Sequence, residues 1–463
     1  MTNQISADEF NLLVFRYLQE SGFEHSAYVF SVESMLTATP AATADVPCGA
    51  LISFVHKGLL FSQLEREVEE PKRAKLMANA QDKANSLSSD ASILVLKGHQ
   101  REAYSCAFNT SEGNILASGS GDSYGRIWIL KADGTTDSRL LEHYSPAKQQ
   151  IEEETSSAAR KDVTSICWSP DGTVLATGAF DGRIRLWNRE GEMVGSLIQH
   201  AGPVHAIRWS SKGKFLLSCS EDKTAIVWNV STLSAVKSFE AHQARVLDVD
   251  WCPNSASAAD GDDDVFASCS NDKTIAICRV STGETWKYLA HDDEVNTVKW
   301  SPDGLLLASC SDDNLAKIWS FPTKQFPSDG TAPVSLDLRR HAKDIFTVRW
   351  SPTGPGSAHP NLPRRLATAS SDATVSIWDP ETGKVLHTID KQSEAVYAIE
   401  FDPSGQHLLS GSFDGLANVT NVETGVLMKS VKVSAGIYDV SWNLRGDRFA
   451  VAQADGTISL VDF

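Results

Sequence analysis

A unit of about 40 residues recurs along most of this chain, and self-similarity at that period allows only stacked or circular architectures in which each unit covers its apolar face with the next. The clearest copy is His200 to Asn229, HAGPVHAIRWSSKGKFLLSCSEDKTAIVWN. Val204 to Trp209 alternates apolar and polar, Phe215 to Ser220 is a small-residue strand and Ala225 to Trp228 a third strand, with Ser-Lys-Gly and Glu-Asp-Lys as turns. A weaker fourth strand, Ala235 to Phe239, leads to the next His. Alignment on the Asp of the second turn gives eight units, at Asp122, Asp181, Asp222, Asp272, Asp313, Asp372, Asp414 and Asp455. Six residues on stands Trp128, Trp187, Trp228, Trp319 or Trp378, replaced by Cys278, Thr420 and Val461 in the fourth, seventh and eighth units. The last unit has three strands and an orphan apolar run, Ile93 to Leu96, precedes the first; pairing the two closes a ring with no free edge.

Lys97-Gly98-His99 and Ile377-Trp378-Asp379 resemble the Gly-His start and Trp-Asp end of WD40 repeats. The expected fold is therefore an all-β eight-bladed WD40 β-propeller over residues 92–463, closed by strand 93–96, with a small α-helical N-terminal domain. In that domain Ser6 and Glu9 form a capping box, and Phe10, Leu13, Val14, Tyr17 and Leu18 mark one apolar helix face that ends at Gly22. A second helix carries Phe30. Two helices this short cannot cover their apolar stripe alone, so a second copy is expected to cover it. The segment Gly22-Phe23-Glu24-His25-Ser26-Ala27 after a Leu-rich helix resembles the LisH dimerisation motif, which assigns residues 1–36 to homo-oligomerisation through Phe10, Leu13, Val14, Tyr17, Leu18, Phe23 and Phe30. Residues 46–65 resemble the F-box-like segment that follows LisH in the transducin-beta-like subunits of co-repressor complexes; a helix extending the oligomerisation core is the plainer reading. Residues 66–91 read as a charged, then Ala/Ser-rich linker, in which Pro71-Lys72-Arg73-Ala74-Lys75 has the composition of a small nuclear-localisation patch, although basic runs this short are more often simply solvated.

The formal charge of −17 argues against direct nucleic-acid binding and favours basic protein partners. No segment has the apolar length of a membrane span and the start is not a signal peptide, so a soluble, intracellular protein is expected. The eight cysteines contain no CxxC pair and are expected as buried, reduced thiols.

His200, Ser218 and Asp222 carry the residue types of a hydrolase triad, but the set recurs as His99, Ser118, Asp122 and as His341, Thr368, Asp372, which one active site would not do. Joined to the indoles of Trp128, Trp228 and Trp378, each set instead makes a hydrogen-bond chain that locks a blade. Blades seven and eight, where Gln392 meets Thr420 and Val433 meets Val461, should be softer. Insertions fall at Arg139 to Lys161, Asn254 to Asp264 and Thr353 to Arg364, and the run Asp260 to Asp264 lacks EF-hand spacing and reads as a mobile acidic loop. With no Walker or GxSxG motif, neither an enzyme nor a cofactor or metal site is expected.

The WD40 resemblance places a binding face at fixed positions of each unit. These are Glu102 and Tyr104; Asp162 and Phe180; His205 and Glu221; Arg245 and Asn271; Glu294, Asn296 and Asp312; Asp344 and Phe346; Tyr397 and Phe413; and Tyr438. Carboxylates alternating with aromatics suit a basic peptide such as a histone tail. The transducin-beta-like resemblance implies a nuclear scaffold with co-repressor and histone deacetylase partners. A ubiquitin-ligase substrate receptor is the alternative through residues 46–65; a LisH/WD40 dynein regulator is a third reading, which the eight units and absent heptads disfavour.

Overall fold

The computed structural model describes residues 93–131, 133–143, 161–253, 263–321 and 335–463, together with scattered positions between Asn11 and Val29. The chain divides into two compact units, Met1–Ser86 and Leu87–Phe463. The F-box-like stretch, the Pro71 to Lys75 run, Phe10, Leu13 and Phe30 lie outside the described residues. In the first unit Asn11, Val14, Phe15, Tyr17 and Leu18 are helical, and amide bonds from Ser21 to the Tyr17 carbonyl and from Phe23 to the Leu18 carbonyl, both 2.9 Å, finish that helix. Val14 and Leu18 are half-buried within the unit, whereas Phe23 stays 56% exposed.

Among the described residues of the second unit there are thirty-two strands, numbered β1 (Ile93–Leu96) to β32 (Ile458–Asp462) in chain order, in eight antiparallel four-stranded sheets. Blade three is β10 (Val204–Trp209), β11 (Phe215–Ser220), β12 (Ala225–Asn229) and β13 (Ser234–Phe239). Burial falls outward along it: β11 is buried at nearly every position, while β13 alternates exposed and half-buried residues. Small residues dominate the second strand because other blades cover both its faces. In blade eight β1 is the outermost strand, antiparallel to β32 with Ile93 opposite Val461 and Leu96 opposite Ile458.

The apolar core is a series of slabs between blades. Leu186 and Leu197 of blade two pack with Ile207, Leu216 and Trp228 of blade three, and Leu460 and Ile458 of blade eight pack with Phe108, Leu116 and Trp128 of blade one. The ring thus closes by the same burial that joins any two neighbouring blades.

The innermost strands surround the axis, and the edges they turn toward it lack strand partners. Side chains of the neighbouring blade cap those edges. Trp300 donates its amide to Asp250 at 2.8 Å, Trp442 to Glu400 at 2.6 Å and Cys106 to Asp439 at 3.0 Å. Each capped amide lies on the strand of the next blade, so half-buried carboxylates stitch the ring together from inside.

Two expectations need correction. The first insertion is shorter than Arg139 to Lys161, because Arg139 to Glu142 belong to β5 (Thr136–Glu142). The acidic run is not uniformly a mobile loop: Asp263 is buried and accepts the Ser211 amide at 2.8 Å, and Asp264 accepts the Ser281 amide at 2.8 Å. Asp260 and Asp262 lie outside the described residues.

Candidate functional site: the propeller rim

Each second turn is built the same way. The turn Asp accepts the amide two residues on, as Thr224 donates to Asp222 at 3.0 Å and Leu315 to Asp313 at 2.9 Å. In blades one and three to six its other oxygen takes the amide after the His, as Ala201 donates to Asp222 at 2.8 Å. The residue after the Asp has positive φ in every blade, a Gly in some and Ser123, Lys223, Lys273, Asn314 or Ala373 in the others. The carboxylate fixes a turn whose backbone a non-glycine residue would otherwise resist.

Around this turn run the hydrogen-bond chains. In blade three the His200 Nδ1 is 2.8 Å from Asp222, its Nε2 is 2.7 Å from the Ser218 hydroxyl, and the Trp228 indole donates to the same hydroxyl at 2.8 Å. Blade one repeats this with His99, Asp122, Ser118 and Trp128 at 3.1, 2.8 and 2.8 Å, and blade six with His341, Asp372, Thr368 and Trp378 at 3.1, 2.8 and 2.9 Å. Blade five adds His291, Asp313, Ser309 and Trp319, and blade four holds His242, Asp272 and Ser268 beside Cys278. The hydroxyl is committed to both neighbours and fully buried, so no nucleophile is presented. Burial alone would raise the carboxyl of Asp313; the bond from His291, its charge and two backbone amides outweigh burial and bring it down to about 2.

Blade two has a set that the sequence pattern hides. His143 bonds Thr177 at 3.0 Å, Trp187 donates to Thr177 at 2.9 Å, and Arg185 stands between His143 and Asp181, 2.7 Å from the carboxylate. Burial, with the Arg185 charge adding to it, pushes the His143 imidazole down to about 3. In blade eight Gln453 replaces the missing set, bonding Ser434 and Ser459 at 2.9 and 2.8 Å. Blade seven is poorer: Gln392 reaches Ser410, but Thr420 Oγ1 is buried with no partner among the described residues. Thr420→Val keeps the shape and removes the stranded hydroxyl, so it is expected to raise stability by about 1 kcal/mol in urea unfolding.

Rim side chains are placed by a second device. In all eight blades the pairing of the first two strands slips by one residue near the top of the first. The residue passed over is Tyr104, Thr164, His205, Leu247, Asn296, Phe346, Tyr397 or Tyr438. A bulge turns one side chain out of the ladder, and here that side chain goes to the rim.

The rim is segregated by chemistry; carboxylates and aromatics do not alternate. Phe346 stacks on Tyr397 at 4.9 Å, Tyr397 meets Phe413 at 5.9 Å and Tyr438 at 6.1 Å, and Tyr438 meets Tyr104 at 5.6 Å. One aromatic arc therefore runs through blades six, seven, eight and one, with Tyr397 and Phe413 about two-fifths exposed. Phe180 in blade two is exposed and makes no ring contact with the arc among the described residues. Blades three to five carry a polar arc: His205 meets Glu221 at 3.0 Å, Asn271 donates to Glu294 at 2.6 Å, Arg245 lies 3.5 Å from Glu294, and Asn296 donates to Asp312 at 2.6 Å. Asp162, expected on the rim, is only 8% exposed. Among the described residues no cluster of His, Cys, Asp and Glu could hold a metal ion.

Comparison with known proteins matches this architecture. The WD domain, G-beta repeat model matches residues 91–128, 153–188, 191–229, 233–278, 283–320, 333–379 and 383–421, and the LisH model matches 8–34. The F-box-like/WD repeat-containing protein TBL1X of Mus musculus is 35% identical over 99% of both chains. The WD40 repeat-containing protein HOS15 of Arabidopsis thaliana is 39% identical over 81% of this chain and 58% of its own. The crystal structure of the C-terminal WD40 domain of Sif2 superposes with a TM-score of 0.63 over 80% of this chain and 98% of that domain, at 21% identity.

Proposed function

This chain belongs to the F-box-like/WD repeat-containing family of non-enzymatic propeller scaffolds, and on that premise we propose that it is a nuclear subunit of a transcriptional co-repressor and histone deacetylase complex. In this reading the LisH segment joins copies of the chain and the propeller rim binds basic histone tails. The observation that carries the rim assignment is the aromatic arc. Large rings left exposed and touching one another cost solubility unless a partner covers them. Ring faces hold cations and apolar stems, and the strongly acidic chain steers a basic peptide toward them. The F-box-like name of the relatives supports ubiquitin-ligase recruitment as the competing role.

The test pairs mass with binding. Light scattering should give an oligomer for the full chain and a monomer for the chain beginning at Ala91. Both should bind unmodified histone-tail peptides, more weakly when the lysines are acetylated, and affinity should fall as salt rises. If neither chain binds basic peptides, the histone reading is wrong and ubiquitin-ligase recruitment takes its place.

A further inference from the structure

The rim carboxylates differ in what already holds them. Glu221 has the His205 ring, Glu294 has Asn271 and Arg245, and Asp312 has Asn296. All three lie on the polar arc, and a ligand cation arriving there must displace or share an existing donor. Glu102 and Asp344 are in a different state: among the described residues no side-chain hydrogen bond or ion pair engages either carboxylate, and both are half-buried.

Their places in the fold are related. Asp344 stands two residues before Phe346, which opens the aromatic arc in blade six, and Glu102 stands two residues before Tyr104, which ends it in blade one. Because bulges put Phe346 and Tyr104 on the rim, each carboxylate flanks one end of the arc. At the blade-one end a cavity of about 510 Å³ opens at the seam with blade eight, lined by Gln100, Glu102, Tyr104 and Asp455, with Arg101 also on its wall. The Glu102 charge reaches into the arc: burial first, then Glu102, raises the phenol of Tyr438. At the blade-six end the charge of Asp344 is felt by the carboxyl of Asp312, which burial raises and Asp344 raises further.

A carboxylate beside the electron-rich faces of several rings, without a donor of its own, makes an unfavourable local field. A cation placed there gains the charge and the ring face together. The arc offers that combination at both ends and apolar surface in between.

We propose that the ligand of the rim is an extended peptide with two basic residues, one held by Asp344 in blade six and the other by Glu102 in the blade-one cavity, the intervening residues lying on the aromatic arc. The polar arc of blades three to five then sets the field but does not hold the peptide. This rests on the reading of the rim as a basic-peptide site and adds to it which carboxylates anchor the cations.

The experiment titrates the full chain with labelled unmodified histone-tail peptides, and with a series of synthetic peptides carrying two lysines at increasing separation. Glu102→Gln and Asp344→Asn should each weaken the best peptide about fivefold to tenfold, with thermal midpoints unchanged, since neither side chain supports the fold. The double variant should lose more and should lose its preference for one lysine separation. Glu221→Gln should bind within about twofold of the unaltered chain. Equal binding by the double variant, or a larger loss from Glu221→Gln, overturns the proposal while leaving the rim a basic-peptide site. Failure of the unaltered chain to bind any basic peptide removes both.

Discussion

Asp248→Asn is expected to lower the stability of the propeller by about 3–5 kcal/mol, read as the fall in urea-unfolding free energy. Asp248 lies on β14 (Val246–Trp251), its side chain 8% exposed, and it holds three donors from other blades. The Lys299 ammonium is in contact with it, Arg208 approaches to 3.4 Å, and the Val298 amide to 3.3 Å. Burial would raise the Asp248 carboxyl, but the charges of Lys299 and Arg208 bring it below its ordinary range. Burial lowers the Lys299 ammonium even with Asp248 beside it, so that group has the least margin for losing its counter-charge. The amide in Asp248→Asn keeps the volume and leaves two cations near the axis without their carboxylate. Asp248→Asn combined with Lys299→Met should recover much of the loss, since removing both charges avoids a buried unpaired one. A single variant that unfolds with the unaltered chain would show that the axis is solvated enough to dispense with the pair.

Glu400→Gln is expected to do the reverse, increasingly so as pH rises above about 5. Glu400 lies on β26 (Val396–Phe401), packed against the blade-eight strand, where desolvation of its carboxyl pushes it up to about 8 and Asp439 adds to the rise. Asp439 itself is pushed by burial to about 6. A carboxyl whose folded value exceeds its unfolded value of about 4 binds its proton more tightly when folded, so its contribution is full below about pH 4 and declines as pH rises through the folded value. For Glu400 that decline runs from about pH 4 to about 8 and amounts to about 3–5 kcal/mol. Gln keeps an oxygen for the Trp442 amide and does not ionise, so Glu400→Gln should be the more stable chain at pH 9 and nearly equal to the unaltered chain at pH 5. The turn aspartates work in the opposite sense. Asp313, held near 2, gives stability that is complete above its unfolded value and is lost as pH falls toward 2. Melting temperature against pH should therefore peak on the acid side of neutrality, and the Glu400→Gln curve should fall less steeply above the peak, keeping only the part that Asp439 contributes.

What the sequence carried openly was whatever repeats in register. The His, the Ser or Thr, the Asp and the Trp of blade three are encoded within one unit, and the eight turn aspartates counted the blades. His143 escaped because its partner Thr177 lies 34 residues on, whereas His200 and Ser218 are 18 apart. The bulges escaped because VHAIRW reads as unbroken alternation, although one residue in it leaves the ladder. Arg208, Asp248 and Lys299 occupy polar positions of alternating strands, which period two assigns to solvent; closing eight sheets into a ring makes that face an interior. The aromatic arc follows from the same closure, which brings Tyr104 of the first blade to Tyr438 of the last.

The most direct test of the rim as a binding face is the affinity of the full chain for unmodified histone-tail peptides before and after Tyr397→Ala, since Tyr397 touches Phe346, Phe413 and Tyr438 and sits at the middle of the arc. Loss of one central ring should weaken binding about tenfold or more while the melting temperature stays close to that of the unaltered chain. Unchanged affinity in a folded Tyr397→Ala chain would contradict the assignment and place the ligand elsewhere on the propeller.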